Sequence, residues 1–229
     1  MAGTRDDEMA ATAAYQHGDY ATALRLIRPL AEQGDPLAEV DLAGLYSDGR
    51  GVSKDAAAAG NWYRKAADQD FAPGEYFLAK SVDHKDPFPR AGTESSRLLH
   101  RAAEQGFVPA EFELGMFSVL GGLVQAFGGQ PPSATDIESA QWLRKAADAG
   151  YAPAQAFLGM QHSIHIGLPE EQAEALRWYR LAADQGDVTA EKGLGDLYGR
   201  EHGVPPDYVE SAKWISRRPS RATRRPSAG

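Results

Sequence analysis

Residues 177–186 read RWYRLAADQG, and this decamer recurs at residues 61–70 as NWYRKAADQD and at residues 141–150 as QWLRKAADAG. Weaker copies stand at residues 25–34 (RLIRPLAEQG) and 97–106 (RLLHRAAEQG). The five copies end at Gly34, Asp70, Gly106, Gly150 and Gly186. These ends are 36, 36, 44 and 36 residues apart, and a nearly constant period of this size indicates an array of stacked repeats.

Each repeat predicts two helices. Trp62, Trp142 and Trp178 occupy one position of the decamer, an alanine pair follows that position, and the fourth tryptophan, Trp214, comes 36 residues after Trp178. On a helical wheel the apolar residues of this first helix span an arc of about 200°, wider than the ~100° stripe of a surface helix. We therefore expect the first helix to pack on two sides, with its tryptophan and alanines mostly in the core. The second helix carries a leucine at one fixed position: Leu42, Leu78, Leu114, Leu158 and Leu194.

The ends of the helices carry their own signals. Glycine ends four of the five decamers, and glycine readily adopts the left-handed conformation that follows a helix. The connector YSDGRGVSKD (46–55) recurs as YGREHGVPPD (198–207). In both copies the final aspartate is expected to cap the next helix, and the valine to pack between helix pairs: Asp55, Asp207, Val52 and Val204.

This pattern resembles the Sel-one-like repeat family, a relative of the tetratricopeptide repeats. The family unit runs D-x-x-x-A-x-x-W-Y-x-x-A-A-x-x-G, then A-x-x-x-L-G-x-x-Y, then G-x-G-V. Residues 171–204 match it at Glu171, Ala175, Trp178, Tyr179, Ala182, Ala183, Gly186, Ala190, Leu194, Gly195, Tyr198, Gly203 and Val204. The resemblance covers residues 10–216 and implies a right-handed α/α solenoid with a general role in protein–protein interaction or complex assembly.

We therefore predict an all-α protein, a right-handed α/α solenoid of about five helix-pair repeats. A leading helix is expected near residues 6–17, and an insert at residues 121–136 separates the third repeat from the fourth. A partial repeat at 207–216 is followed by a basic tail at 217–229 that we expect to be disordered. The five repeats span residues 19–54, 55–90, 91–134, 135–170 and 171–206.

The charge of the chain limits its partners. The net charge is −8, and residues 217–229 carry five arginines and no acidic residue. Without them, 19 basic residues face 32 acidic residues, which leaves −13 for residues 1–216. Such a body repels nucleic acid and anionic membranes, so we expect neither as a partner and favour basic or neutral proteins.

The compartment is an expectation from composition. The chain has no cysteine, which excludes disulfides and thiolate catalysis, and it has no apolar run near the ~20 residues that span a bilayer. We expect a bacterial protein in the cytoplasm. The oligomeric state stays open.

Catalytic motifs were sought in the sequence. It holds no phosphate-binding loop, nucleophile elbow or H-E-x-x-H. His162 and His165 have the spacing of two metal ligands, but no third ligand is placed near them, so we predict no metal, no cofactor and no catalytic residue. Some cysteine-rich members of the family have been linked to β-lactams. That activity does not carry over to this chain, because no motif corresponds and the disulfide framework is absent, and a hydrolase acting on β-lactam or cell-wall-type substrates stays the alternative function.

The function that we predict is a non-enzymatic scaffold or adaptor that binds a protein or peptide on its concave surface. A basic column stands two residues after the tryptophan position, with an acidic column four residues further on. These columns either form i,i+4 ion pairs worth ~0.2–0.5 kcal/mol each or leave the cations to bind an acidic peptide. Two apolar residues of the insert either contact the partner or pack on a neighbouring repeat. The candidate partner-binding residues are Arg64, His100, Arg144, Arg180, Leu123 and Phe127.

Overall fold

The computed structural model describes residues 2–82, 92–116, 134–164, 169–199 and 207–216. Over these ranges the chain forms twelve helices and no strand, as predicted for an all-α protein. None of these helices is long and apolar enough to cross a membrane. The helices are α1 (Ala2–Gln16), α2 (Tyr20–Glu32), α3 (Pro36–Asp48), α4 (Ala56–Asp68), α5 (Ala72–Val82), α6 (Glu94–Glu104), α7 (108–116), α8 (Ala134–Asp148), α9 (Ala152–Ile164), α10 (Pro169–Ala183), α11 (Val188–Gly199) and α12 (Tyr208–Ser216).

The helices form two compact bodies, an N-terminal body (Met1–Glu111) and a C-terminal body (Phe112–Gly229). In the N-terminal body α4 packs on both α3 and α5, and α3 also contacts α5 directly. In the C-terminal body α10 packs on both α9 and α11, and α9 contacts α11. The tryptophan-bearing helices α4 and α10 are thus flanked on two sides, as their wide apolar arcs predicted, and the all-α helical-repeat fold is confirmed.

The core consists mainly of alanine and of the residue that follows the tryptophan position. The alanine pairs of α4, α6, α8 and α10 are all buried, and so are Ile27, Tyr63, Leu99, Leu143 and Tyr179. The tryptophans are less uniform than predicted. Trp178 is 1% exposed, whereas the other three are only partly buried. Two of those three, Trp62 and Trp142, have a lysine Nζ above the ring, at 3.6 and 4.8 Å from the ring centroid. The tryptophan position therefore lies at the margin of the apolar arc, where a cation covers the ring.

The predicted helix ends are present. All five decamer ends have a positive φ, 88° at Gly34 and 56° at Asp70 among them, so an aspartate adopts the same left-handed turn as the glycines. Asp55 Oδ1 accepts from Ala58 N at 2.9 Å, and Asp207 caps α12 in the same way. Val52 packs against the core of the N-terminal body, while Val204 lies outside the described residues.

Small residues allow close approach of neighbouring helices, as the sequence indicated. A Cβ added to Gly74 would lie 2.6 Å from Ala66 Cβ, and one added to Gly159 would lie 2.6 Å from Tyr179 Cδ1. Both distances are far below van der Waals contact, so a larger residue would push the helices apart. The loss of helix propensity at these glycines, ~1 kcal/mol relative to alanine, is thus compensated by packing.

Hydrogen bonds between exposed glutamines and buried polar residues link neighbouring repeats, and they were not predicted from the sequence. The buried polar residues stand near the start of the second helices, one residue after a small residue: Glu39, Glu75, Glu111, Gln155 and Glu191. Burial raises the pKa of the Glu39 and Glu75 carboxyls. In three places a glutamine side-chain amide donates a hydrogen bond to the residue 30 positions earlier: Gln69 Nε2 to Glu39 Oε2 (2.9 Å), Gln105 Nε2 to Glu75 Oε2 (2.8 Å) and Gln185 Nε2 to Gln155 Oε1 (2.9 Å).

Candidate functional site

The predicted partner-binding cations lie at the surface, two on each body. Arg64 and His100 belong to the N-terminal body, on α4 and α6, and Arg144 and Arg180 belong to the C-terminal body, on α8 and α10. The three arginines are exposed, and His100 is half-buried with its Nδ1 2.8 Å from the Ser96 carbonyl oxygen. The two apolar candidates of the insert, Leu123 and Phe127, lie outside the described residues.

The predicted i,i+4 ion pairs hold for one arginine only. Arg144 Nε lies 3.0 Å from Asp148 Oδ2, as expected. Arg64 Nη1 instead contacts Glu94 Oε1 at 2.7 Å, and Arg180 Nη2 donates to the Tyr198 hydroxyl. For Arg64 and Arg180 the prediction of pairing along the same helix was therefore wrong.

The partner of each arginine depends on the residue 18 positions further along the chain. Where that residue is a tyrosine, its hydroxyl accepts from the arginine, as Tyr46 does from Arg28 at 3.2 Å and as in the Arg180 repeat. In the two repeats with carboxylate-paired arginines that residue is Val82 or His162, and neither offers a hydroxyl. In these two repeats the arginine pairs with a carboxylate instead, because an exposed guanidinium bonds to an acceptor that lies within reach.

The histidine pair of the sequence contributes one member to the described structure. His162 Nδ1 lies 2.6 Å from Glu171 Oε2, and His165 lies outside the described residues. Over the described ranges, no three histidine, aspartate or glutamate side chains converge as metal ligands would.

A groove of about 580 Å³ in the N-terminal body is lined by residues that the sequence analysis did not select. Its rim carries the exposed side chains of Tyr15 on α1, Leu37 on α3 and Phe77 on α5. The Phe77 ring stacks on Tyr63 of α4, with centroids 5.4 Å apart and planes 20° apart. Four helices thus place aromatic and aliphatic surface around one depression.

Tyr63 forms the wall of the groove beside α3. Its side chain is 7% exposed, and a Cβ added to Gly44 would lie 4.0 Å from its hydroxyl. Among the described residues, no group forms a hydrogen bond with this hydroxyl. Burial, with the negative charge of Asp48 nearby, raises the pKa of Tyr63 to about 12. The hydroxyl therefore stays neutral and keeps both donor and acceptor capacity.

Asp41 adds a carboxylate to the same groove. It has no ion pair and no hydrogen-bond partner among the described residues, whereas Asp48 at the end of α3 lies 3.2 Å from Arg50 Nε. Burial by the surrounding groove, with a smaller contribution from Asp35, raises the pKa of Asp41 to about 6. The residue is nevertheless exposed, so water reaches its carboxylate from the open side of the groove.

The position of Asp41 varies from one repeat to the next. The equivalent residues are Phe77, Glu113, Phe157 and Gly193, whereas the residue that follows is leucine in all five repeats. The repeat fold therefore does not need a carboxylate there. A groove of about 400 Å³ occupies the corresponding place in the C-terminal body, but it carries Lys192 together with Asp196.

This groove was not predicted from the sequence, because the predictions rested on positions that repeat. Core residues repeat since every repeat packs in the same way, but the groove is made of the positions that differ. The only available signal was the departure of Asp41, Leu37 and Gly44 from their equivalents in the other repeats.

Comparison with known proteins gives the family. The Sel1 repeat family model matches residues 36–71, 97–107, 108–151, 152–187 and 188–217, more than half of the chain. A Sel1 repeat protein from Oxalobacter formigenes is 28% identical, with 91% of this chain and 80% of that chain covered and a TM-score of 0.68. A protective antigen with an SLR fold, present in uropathogenic Escherichia coli strains, is 26% identical and is matched over 90% of this chain and 51% of its own, with a TM-score of 0.52.

An immunity protein from Pseudomonas aeruginosa is 22% identical, with 90% of this chain and 80% of that chain covered and a TM-score of 0.61. At this identity the likeness concerns the fold alone. A comparison with curated proteins returns no match. Repeats matched over most of the chain and a helical-repeat structure lead to one conclusion: the chain belongs to the Sel1 repeat family, whose members generally act as scaffolds for protein–protein interaction.

Proposed function

We propose that this protein is a non-enzymatic scaffold that holds a segment of a partner protein in the groove of the N-terminal body. The observation that carries the proposal is the exposure of Tyr15, Leu37 and Phe77 around one depression of about 580 Å³. Binding sites are typically concave and apolar with a few polar groups, and aromatic residues supply much of the energy at interfaces.

The size of the groove supports a short segment rather than a large flat interface. A volume of 580 Å³ lies within the ~300–1,000 Å³ range of ligand pockets and accommodates the side chains of two or three residues. The rim residues come from α1, α3 and α5, so the site is built on packed helices. Such a site loses little entropy on binding because it is largely formed in advance.

The exposed arginines form a second surface, and its binding of an acidic partner remains a prediction. Their intramolecular acceptors, the carboxylates of Glu94 and Asp148 and the hydroxyl of Tyr198, favour the interpretation as a solvated surface whose arginines are already bonded within the chain. Exposed pairs of this kind are worth at most ~1 kcal/mol, so they are exchanged for a partner at small cost.

The test begins with selection of nine-residue peptides from a displayed random library on the immobilised full chain. The Kd of each selected peptide is then measured by fluorescence anisotropy for the wild type, for Phe77→Ala and for Phe157→Ala. Phe157 is the matched control, since it occupies the equivalent position in the C-terminal body. We expect Phe77→Ala to raise Kd about 10-fold or more, equal to ~1.4 kcal/mol, and Phe157→Ala to leave Kd unchanged.

Three results would contradict the proposal. One is selected peptides whose Kd does not respond to Phe77→Ala while circular dichroism shows the variant folded. Another is peptides that are acidic and lose affinity in Arg180→Ala, which would move the site to the arginines. Turnover of a β-lactam or peptidoglycan fragment that Asp41→Asn abolishes would replace the scaffold by the hydrolase alternative.

A further inference from the structure

We infer that the groove of the N-terminal body is selective for a basic residue, and that it seats an arginine or lysine of the partner segment between the Asp41 carboxylate and the Tyr63 hydroxyl. This inference rests on the proposed function and names the chemistry of its occupant. Its evidence is the two polar groups of the groove, the apolar walls around them and the comparison between repeats.

The Asp41 carboxylate lacks a counter-ion within the described part of the chain. The residue is exposed on the open side of the groove, so its carboxylate is accessible to a cation that enters there. The other groove carboxylate, Asp48, already lies 3.2 Å from Arg50 Nε. A basic ligand therefore gains more from Asp41 than from any neighbouring acidic group of the groove.

The Tyr63 hydroxyl supplies a second, independent indication. The side chain is more than nine-tenths buried and lines the groove, yet its hydroxyl has no hydrogen-bond partner among the described residues. The hydroxyl oxygen itself is not enclosed, so it faces the open groove and can bond to a group that enters there. A guanidinium has five N–H donors and an ammonium has three, enough for a carboxylate and a hydroxyl together.

The shape of the groove fits the stem of such a residue. Leu37 and Phe77 give it apolar sides, and the missing side chain of Gly44 leaves space next to the Tyr63 hydroxyl. Arginine and lysine bury their methylene stems on apolar surface while the charged head stays polar, and a cation also favours the face of an aromatic ring. An acidic occupant would instead place like charges together.

The comparison between repeats separates this feature from the fold. Residues that the fold requires recur, as the leucine after Asp41 does, whereas Asp41 is replaced by phenylalanine in two repeats and by glycine in another. The charge of the N-terminal body also favours a basic occupant, since residues 1–111 hold 12 lysines and arginines against 18 aspartates and glutamates. A body with that excess of negative charge attracts basic segments.

The experiment uses the displayed nine-residue library on the full chain and takes the Phe77-dependent peptides forward. We expect these peptides to share one arginine or lysine position. Replacing that residue by citrulline or norleucine, which keep the stem and remove the charge, should raise Kd about 10-fold or more in the wild type and less than ~2-fold in Asp41→Asn. Tyr63→Phe should raise Kd about 10-fold or more, the loss of one hydrogen bond to a charged group.

Asp196→Asn, in the groove of the C-terminal body, is the matched control and should not alter Kd. The isosteric Asp41→Asn variant keeps the shape of the groove, and circular dichroism of each variant verifies its fold. Phe77-dependent peptides without a shared basic residue, or an equal effect of citrulline in wild type and Asp41→Asn, would overturn this inference and leave the scaffold function standing. Selection of no Phe77-dependent peptide would contradict the proposed function and this inference with it. Tighter binding by a synthetic peptide of residues 217–229 than by any selected peptide would assign the groove to this chain's own basic segment and overturn a partner as its occupant.

Discussion

Replacing Asp41 by asparagine should stabilise the protein at neutral pH while it removes the proposed basic-residue preference. Folding raises the pKa of this carboxyl from 3.8 to about 6, mainly because the groove buries it. Below about pH 3, well under both pKa values, the carboxyl is protonated in both the folded and the unfolded chain, so it contributes no pH dependence. As the pH rises towards 6 the unfolded chain ionises first, and the folded chain becomes progressively less stable than it would be with a neutral side chain.

The magnitude follows from the two pKa values. A difference of about 2 between them corresponds to about 3 kcal/mol for a fully buried group. Asp41 retains solvent on the open side of the groove, and solvent screening reduces the expected effect to about 1 kcal/mol. Asparagine has nearly the same shape and no charge, so Asp41→Asn should gain about 1 kcal/mol above pH 6.5 and almost nothing at pH 4.

The assay is urea unfolding followed by circular dichroism, for wild type and Asp41→Asn at pH 4.0, 5.0, 6.0 and 7.5, a series that spans the two pKa values. The exposed Asp68→Asn on α4 is the control, and its free energy of unfolding should stay within ~0.5 kcal/mol of wild type throughout. A stability difference between wild type and Asp41→Asn that does not grow from pH 4.0 to pH 7.5 would refute the reasoning. So would a variant less stable than wild type at pH 7.5, because the carboxylate would then have a stabilising partner.

Three further predictions concern the repeat scaffold. Trp178→Ala should lower the free energy of unfolding by ~3–5 kcal/mol because Trp178 is 1% exposed. Trp62→Ala should lower it by only ~1–2 kcal/mol because Trp62 is half-buried. Equal urea midpoints for the two variants would contradict this ranking. Gly51→Ala should cost at least ~1–2 kcal/mol, since φ is 71° and the added Cβ would lie 2.7 Å from the Tyr20 carbonyl oxygen; a melting temperature equal to that of wild type would argue against it. Deleting residues 217–229 should leave the circular-dichroism spectrum intact, and lost helical signal would mean that the tail belongs to the fold.

The repeat architecture could be read from the sequence because its causes are local and recur five times. Left-handed helix ends at Gly34 or Gly186, caps at Asp55 or Asp207 and buried alanine pairs each follow from a few neighbouring residues. The same rules applied in every repeat, so each correct assignment supported the others. The Glu39–Gln69 hydrogen bond was open to the same method, since its members also recur, but a buried glutamate is not expected in a core.

Other features depend on which side chains meet across helices. Arg180 has a carboxylate one turn away on its own helix, yet in the tertiary structure it donates to the Tyr198 hydroxyl of the next helix. The tryptophan position looked equivalent in all repeats, but only Trp178 among the four is fully enclosed. Neither outcome follows from a helical wheel, because the wheel defines a face of one helix and not what the neighbouring helix presents to it.

The sequence by itself thus determined the helices, their ends, their pairing into repeats and the family. Only the tertiary structure decided where the groove lies that we propose as the binding site. Tyr15, Leu37, Asp41, Tyr63 and Phe77 stand on four helices, and their convergence creates a groove that no single stretch of chain encodes. The raised pKa of Asp41 has the same origin, since it arises from the burial of a carboxyl by atoms distant in sequence.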